Sequence, residues 1–538
     1  MAVRHHLALL ASTLLVPILL VSGGTARAQD NTSQSDTDLP QAGNEWFASG
    51  DEALQERLAR QPNTNCALNV ILMISDGNGV GTNYASRLFA GQQEGGLGDD
   101  YVQPHETFPN LALVKTYNVN AQTPDSAGTG TAMMSGIKTD AGIVGVTSDV
   151  NRGDCTTIEG NRVASISEVL DGMGKATGIV STARITHATP ASAYAKSVDR
   201  NFEDSVPEGC TEQVDIATQL IDAMEAGVID IAMGGGRRHF IPEDAEGEEG
   251  NAGRRADGTN LIERATGLGA QYAHDTASFE ALNLDGSAPI LGLFEPSHMQ
   301  YEADRDGEPS LAEMTGAAIE ALKAAGGENG FFLQVEAGRV DHANHGGNLA
   351  RVVRDQKAFA DAVALTDEMT DDADTLIIVT ADHEHAIAFN GYCGRGSNIL
   401  GLCMGINNEG VEHTGDPNTG SDELPYTVVG YLNGPGSVLV EQTEPLEGGD
   451  QSAINADVEV GEADADPKPV YSGSRPEVTQ EDATDVDYLQ QALVPMSSET
   501  HSGEDVAVYA KGPFAHLLDG TIEQNVIFHV MHHAATVE

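Results

Sequence analysis

The chain of 538 residues carries 82 Asp and Glu against 28 Lys and Arg, a formal charge of −54 with a pI near 4.3. That length exceeds the range over which a single core keeps growing, so burial area is not limiting, and one large domain with insertions or two fused units is expected. A field of this sign repels nucleic acid and anionic lipid heads, which argues against either as a partner.

Arg4, an apolar run from Leu7 to Val21 and the small-residue pattern Ala26-Arg27-Ala28 before Gln29 have the layout of a secretory signal over residues 1–28, with an uncleaved anchor as the other reading. No later stretch is long and apolar enough to span a bilayer, so after signal cleavage the chain is expected to be secreted or periplasmic and free of the membrane. Residues 29–45 are polar and are expected to form a mobile leader. EWFASGDEALQERLAR, from Glu45 to Arg60, suits an amphipathic helix, and Asn69–Ser75, with VILMIS inside it, suits a buried strand that ends in glycines.

Further apolar runs follow at 177–183, 227–233, 289–294, 331–336 and 375–381, separated by helical segments, and this alternation predicts an α/β fold. Ser165 with Glu168, and Ser310 with Glu313, form capping-box patterns, the second ahead of a helix that closes at Gly326-Gly327. Residues 404–490 are acidic and poor in apolar runs apart from YTVVGY, and read as a surface insertion dividing a catalytic domain into 46–403 and 491–538. VAVYAK at 506–511 is expected to be the last strand.

None of the five cysteines lies in a CxxC pair, so a thiolate zinc site is not indicated. Cys393 and Cys403 bracket a glycine-rich turn and suit a short disulfide loop, whereas Cys155 and Cys210 would have to be paired by the fold. The acids are spread along the chain and lysine is scarce, so the charge excess reads as halophilic adaptation, with cation collection as the competing reading. Screening of carboxylate repulsion then predicts a melting temperature that rises with sodium chloride up to molar concentration; a flat or falling curve would contradict the halophilic reading.

The residues that carry chemistry fall at the C-terminal ends of the predicted strands, where open parallel sheets place ligands. Asp76 follows VILMIS, Glu336 ends FFLQVE, and Asp382 and His383 end TLIIVTA. Asp341 and His345 are four apart, on one side of a turn. Each alone is more often a cap or a satisfied polar residue; together they suit zinc or a related cation. In TPDSAGTGTAMMSGIKT (123–139), Pro124 and Asp125 place Ser126 at a helix start, whose free N–H groups favour an alkoxide or a bound phosphate, although the local sequence by itself favours Ser126 as a plain N-cap.

DGNG at 76–79, PDSAGTGTA at 124–132, VEAGRVDHANH at 335–345, TADHEH at 380–385 and ETHSGEDVAVYAKGP at 499–513 resemble the alkaline phosphatase family in order and spacing, nearer to its animal form than to its enterobacterial one. The resemblance runs from about residue 45 to the C-terminus. It implies a central, mostly parallel sheet with helices on both faces and a smaller crown-like insertion. It implies two zinc ions, one on Asp341, His345 and His501 and one on Asp76, Asp382 and His383. A magnesium ion is implied on Asp76, Glu336 and Thr189, with Ser126 as nucleophile toward small phosphate monoesters and Arg200 as phosphate clamp. His187 and His342 border this site where the enterobacterial pattern has an aspartate and a lysine. A calcium ion at Phe294, Glu295 and Glu308, with a further carboxylate from 243–249, a Cys155–Cys210 bridge and a homodimer with an N-terminal arm are implied in the same way.

Three other readings compete. A sulfatase or phosphodiesterase of the same superfamily needs a C/S-x-P-x-R setting or a threonine nucleophile, and Ser126 is followed by Ala-Gly-Thr. A dinucleotide oxidoreductase is prompted by Gly77, Gly79 and Gly81, but their spacing is GxGxG rather than GxGxxG. A secreted acidic protein that binds cations without catalysis is the third.

Overall fold

The computed structural model of the protein describes residues 39–247, 250–407, 413–442, 470–472 and 475–537; the expected signal and most of the expected leader lie outside them. Residues up to Gln61 form one compact unit and Pro62–Glu538 a second. In the first, the predicted helix is present as Glu45–Ala59, and Asn44 caps it by accepting the Trp46 N–H at 2.9 Å. None of its residues is buried.

The described part of the second unit holds strands Asn69–Ser75 (β1), Asn110–Lys115 (β2), Ala176–Arg184 (β3), Ile231–Gly235 (β4), Gln271–Ala273 (β5), Ile290–Leu293 (β6), Phe331–Ala337 (β7), Thr375–Thr380 (β8), Glu384–His385 (β9), Ile387–Phe389 (β10), Val429–Gly434 (β11), Val440–Gln442 (β12), Val470–Ser472 (β13), Ala492–Pro495 (β14), His501–Ser502 (β15), Val506–Lys511 (β16) and Gly520–Glu523 (β17). Ten form one sheet in the order β17-β2-β16-β8-β1-β7-β3-β4-β6-β5. From β8 to β5 all neighbours are parallel, and β16 runs antiparallel to both β8 and β2. The expected α/β, mostly parallel sheet is present.

Strand β1 is buried along its whole length because both faces of the sheet are covered. Val70, Leu72 and Ile74 enter one apolar cluster, while Ile71 and Met73 enter the other. Alternate side chains thus feed two cores, which is why the sequence of this strand is continuously apolar rather than alternating. Both capping boxes form as predicted, at Ser165 and Ser310, and the second helix closes at Gly327.

Two predicted strands need correction. The run at 227–233 begins with the end of helix Ile216–Ala226, where Gly227 takes φ 80°, and the strand starts only at Ile231. VAVYAK forms β16 but is not the last strand: β17, the short polar segment Gly520–Glu523, adds to β2 in parallel. Beside the large sheet, β11 from the acidic stretch pairs with β10 and β14, which lie outside 404–490.

Disulfides join Cys155 to Cys210 and Cys393 to Cys403, as expected, and Cys66 is a free, exposed thiol. Closing a loop with a sequence separation of 55 stabilises the fold by about 4 kcal/mol on a chain-entropy basis.

Candidate active site

Parallel register brings the ends of three strands together. Ile74 of β1 stands opposite Glu336 of β7 and Thr380 of β8, so Asp76, Glu336 and Asp382 emerge side by side. The turn after β1 needs a glycine: Gly77 has φ 68°, and a Cβ there would press on the His385 ring and lie 3.2 Å from the Asp341 backbone. Its N–H donates to Asp382 Oδ1 at 3.0 Å.

Ser126 opens the helix Ser126–Ser135, but it is not the cap. Asp125 is, with Oδ1 accepting from Gly128 N–H at 3.1 Å and Oδ2 from Gly142 N–H at 2.9 Å. Asn118 packs against Gly128 too closely for any side chain there and donates Nδ2 to Asp125 Oδ1 at 3.0 Å. With capping supplied by Asp125, the buried Ser126 hydroxyl is left for chemistry, and its Oγ lies 3.2 Å from His383 Nε2.

Three groups of side chains stand around this hydroxyl. Asp341 and His345, on the short helix Arg339–His345, meet His501 of β15: His345 Nε2 and His501 Nε2 lie 3.4 and 3.3 Å from Asp341 Oδ1 and 3.1 Å from each other. His383 Nε2 lies 3.3 Å from Asp76 Oδ1 and 3.2 Å from Asp382 Oδ2. Asp76, His187 and Glu336 form the third. Thr189 Oγ1, Asp76 Oδ1 and Oδ2 and Glu336 Oε1 are buried with no hydrogen-bond partner.

The electrostatics follow from this crowding. Burial first, then the charges of Asp382, Asp341 and Glu336, push the Asp76 carboxyl well above its usual range. Burial raises Glu336 to about 7 against the opposing Ser181 hydroxyl. Burial works against the charge on Asp341 as well, but His345, His385 and His501 outweigh it and hold that carboxyl well below the usual range. Burial lowers His383, His187 and His342, the last to about 3.

Arg200 points its guanidinium into the same space, with Nη1 3.0 Å from Asp125 Oδ2 and Nη2 2.9 Å from His187 Nε2. The ring centroids of His187 and His342 are 5.6 Å apart. The nucleophile, clamp, zinc-ligand and magnesium-ligand candidates from the sequence therefore border one site. The calcium candidates lie apart from it: Gln300 bridges them, with its N–H on Glu308 Oε1 and its Nε2 on Glu295 Oε1, both at 2.8 Å, while Phe294 is buried in an apolar cluster. Glu308 Oε2 is buried without a partner, and among the described residues no third carboxylate or imidazole closes a ligand group with Glu295 and Glu308.

His385 and Glu499 were missed by sequence reasoning. The Nε2 of His385 lies 2.8 Å from Asp341 Oδ1 and its Nδ1 lies 2.6 Å from Glu499 Oε2. The two carboxylates outweigh the cost of burial and raise this imidazole to about 10. With both ring nitrogens engaged, His385 orients Asp341. Its position two residues after His383 in TADHEH was the available signal.

The family model "Alkaline phosphatase" matches residues 67–537. An alkaline phosphatase of Gadus morhua is 39% identical over 517 residues, covering 93% of this chain and 97% of that protein. The tissue-nonspecific alkaline phosphatase of Homo sapiens is 36% identical over 544 residues, with 97% and 94% covered. Among solved structures, alkaline phosphatase from the Antarctic bacterium TAB5 superposes with a TM-score of 0.56 at 21% identity, covering 88% of this chain and 99% of that one. The Thermus thermophilus enzyme superposes with 0.59 at 22%, covering 89% and 93%. The chain thus belongs to the alkaline phosphatase family, hydrolases of phosphate monoesters.

Proposed function

We propose that the site hydrolyses phosphate monoesters in two displacements through a phosphorylated Ser126. The observation that carries this reading is an uncapped, buried serine hydroxyl at a helix N-terminus, between two carboxylate and imidazole groups and facing Arg200. The donor sets fit metal ions: Asp76, Glu336 and Thr189 hold buried oxygens without hydrogen-bond partners among the described residues. Zinc at Asp341, His345 and His501 and at Asp76, Asp382 and His383, with magnesium at Asp76, Glu336 and Thr189, would supply Lewis acidity toward the entering and leaving oxygens.

The chain's own residues do the rest. Arg200, anchored on Asp125, presents the planar fork that fits two phosphate oxygens. Ser126 Oγ loses its proton and attacks phosphorus; the ester P–O bond breaks and the leaving alcohol takes up a proton. Water then attacks the phosphoserine, the Oγ–P bond breaks, and inorganic phosphate and the serine hydroxyl are restored. The free N–H groups of the helix start stabilise the charge that builds on the transferred group. Hydrolysis of a chromogenic phosphate monoester, followed against pH with and without a chelator, tests the reading; a wild type inert under all metal conditions would favour a non-catalytic cation-binding protein. The two disulfides support an exported, secreted or periplasmic setting.

His187 bears on the third group. A neutral imidazole there contributes no negative charge beside Asp76 and Glu336, so His187→Asp is expected to bind magnesium roughly tenfold more tightly and to turn over more slowly. Calorimetric titration of magnesium checks this, and unchanged affinity would leave His187 a structural support for Thr189.

A homodimer is part of the same reading. The β2 strand leaves Leu111 and Leu113 53% and 41% exposed on one side of the sheet, an apolar face that a second copy would cover. Deleting residues 29–60, which hold the proposed arm, is expected to shift the mass measured by light scattering toward the monomer; a variant still dimeric would remove the arm from the interface.

A further inference from the structure

The C-terminal edge of the large sheet changes character along its length. Just beyond β8 and β1 and at the end of β7 it carries Asp382, Asp76 and Glu336; at the end of β3 and just beyond β4 and β6 it carries Arg184, Arg238 and His298. The turn Arg237–His239 follows β4 directly, with Arg238 N–H on Pro296 O at 3.2 Å and Arg254 N–H on Arg238 O at 2.8 Å. In a chain where carboxylates outnumber Lys and Arg by 82 to 28, arginines gathered at one rim run against the composition.

The charges on this rim do not balance. Arg200 pairs with Asp125 at 3.0 Å, Arg184 with Glu203 at 2.8 Å, and Arg254 with Asp204 at 3.4 Å, a carboxylate also held by His239 Nδ1 at 2.6 Å. Arg238 is the fourth guanidinium, and it makes no ion pair with the described residues; its Nε reaches only His239 Nε2, at 3.3 Å. Partial burial and the neighbouring charges of Arg184 and Arg254 lower its pKa and outweigh the more weakly acting carboxylates of Glu203 and Asp204, which other cations hold. The rim is continuous with the phosphate pocket. His298 contacts Arg184, and its ring centroid lies 3.9 Å from that of His342 and 5.6 Å from that of His187, which in turn touches Arg200.

We propose that Arg238, supported by Arg254, is an outer anion subsite that receives a second phosphate or carboxylate of a substrate whose scissile phosphate lies at Ser126. The proposal rests on the phosphatase reading of Ser126. From β1 to β4 the sheet order gives three strand spacings, about 14 Å, a span that a small molecule phosphorylated at both ends covers once the arginine reaches inward. A guanidinium fork whose terminal nitrogens meet no acceptor among the described residues suits a phosphate or carboxylate better than a lone ammonium would.

Steady-state kinetics at low ionic strength test it, with phenyl phosphate as the ester bearing one anionic group and fructose 1,6-bisphosphate as the ester bearing two. Arg238→Gln is expected to raise KM for the bisphosphate about three- to tenfold, with kcat unchanged and KM for phenyl phosphate within about twofold of wild type. Arg238→Lys should recover part of the loss. Arg254→Gln, at a side chain 53% exposed and so harmless to folding, should show a smaller rise in the same direction. The difference between the two esters should fade in molar salt. Equal effects on both esters, or none on the bisphosphate, would overturn the subsite, whereas a wild type that fails to hydrolyse phenyl phosphate would overturn the phosphatase reading itself.

Discussion

Replacing Ser126 by alanine is expected to lower kcat on phosphate monoesters by about 10³-fold or more while leaving metal content and melting temperature near those of wild type. The helix does not depend on this hydroxyl, because Asp125 supplies the cap and Thr129 Oγ1 bonds back to the Asp125 carbonyl at 3.1 Å. What disappears is the nucleophile. Arg200, the helix-start N–H groups and the two groups around His383 and Asp341 all remain, so water attacking in place of Oγ should leave a residual rate rather than none. Rapid-quench analysis with labelled substrate would find a phosphoserine in wild type and none in the variant. An alanine variant with near-normal kcat would remove Ser126 from the reaction.

Chelation is expected to abolish activity and to lower the melting temperature by on the order of 10 °C, with a larger drop at about pH 8 than at about pH 5. Four carboxylates, Asp76, Asp341, Glu336 and Asp382, are buried in adjoining groups. Burial raises Asp76, and raises Glu336 to about 7. A carboxyl raised in the folded state contributes stability that is present below its unfolded value, about 4.5 for Glu336, and lost as pH rises through about 7. Asp341 runs the other way, its stabilising contribution being lost only in acid. Below about pH 6.5 the buried His383, His187 and His342, whose pKa values burial lowers, offset this slope, so the metal-free protein should weaken chiefly between about pH 6.5 and 8, whereas bound cations hold the carboxylates ionised and remove that slope. Calorimetric scans with and without chelator across this range check it; parallel melting curves would show that these carboxyls do not titrate with folding.

The sequence by itself determined the sheet and most of the site's membership. Strands covered on both faces must be continuously apolar, and a parallel sheet places its ligands where those runs stop, so Asp76, Glu336, Asp382 and His383 were legible at the ends of three such runs. Helix starts were legible for the same local reason, because the Ser165 and Ser310 caps bond within three residues. The tertiary structure alone decided what depends on partners far apart in the chain. Whether Ser126 caps its helix or is left free turns on Asp125, whose carboxylate is fixed by Gly142 and by Arg200, 75 residues on. His385 is tied to Glu499 across 114 residues. Arg238 is unusual only because no carboxylate among the described residues forms an ion pair with it. Periodicity records which side chains face the core; it carries no record of which distant group a polar side chain meets, since that contact forms only after the sheet has set the register.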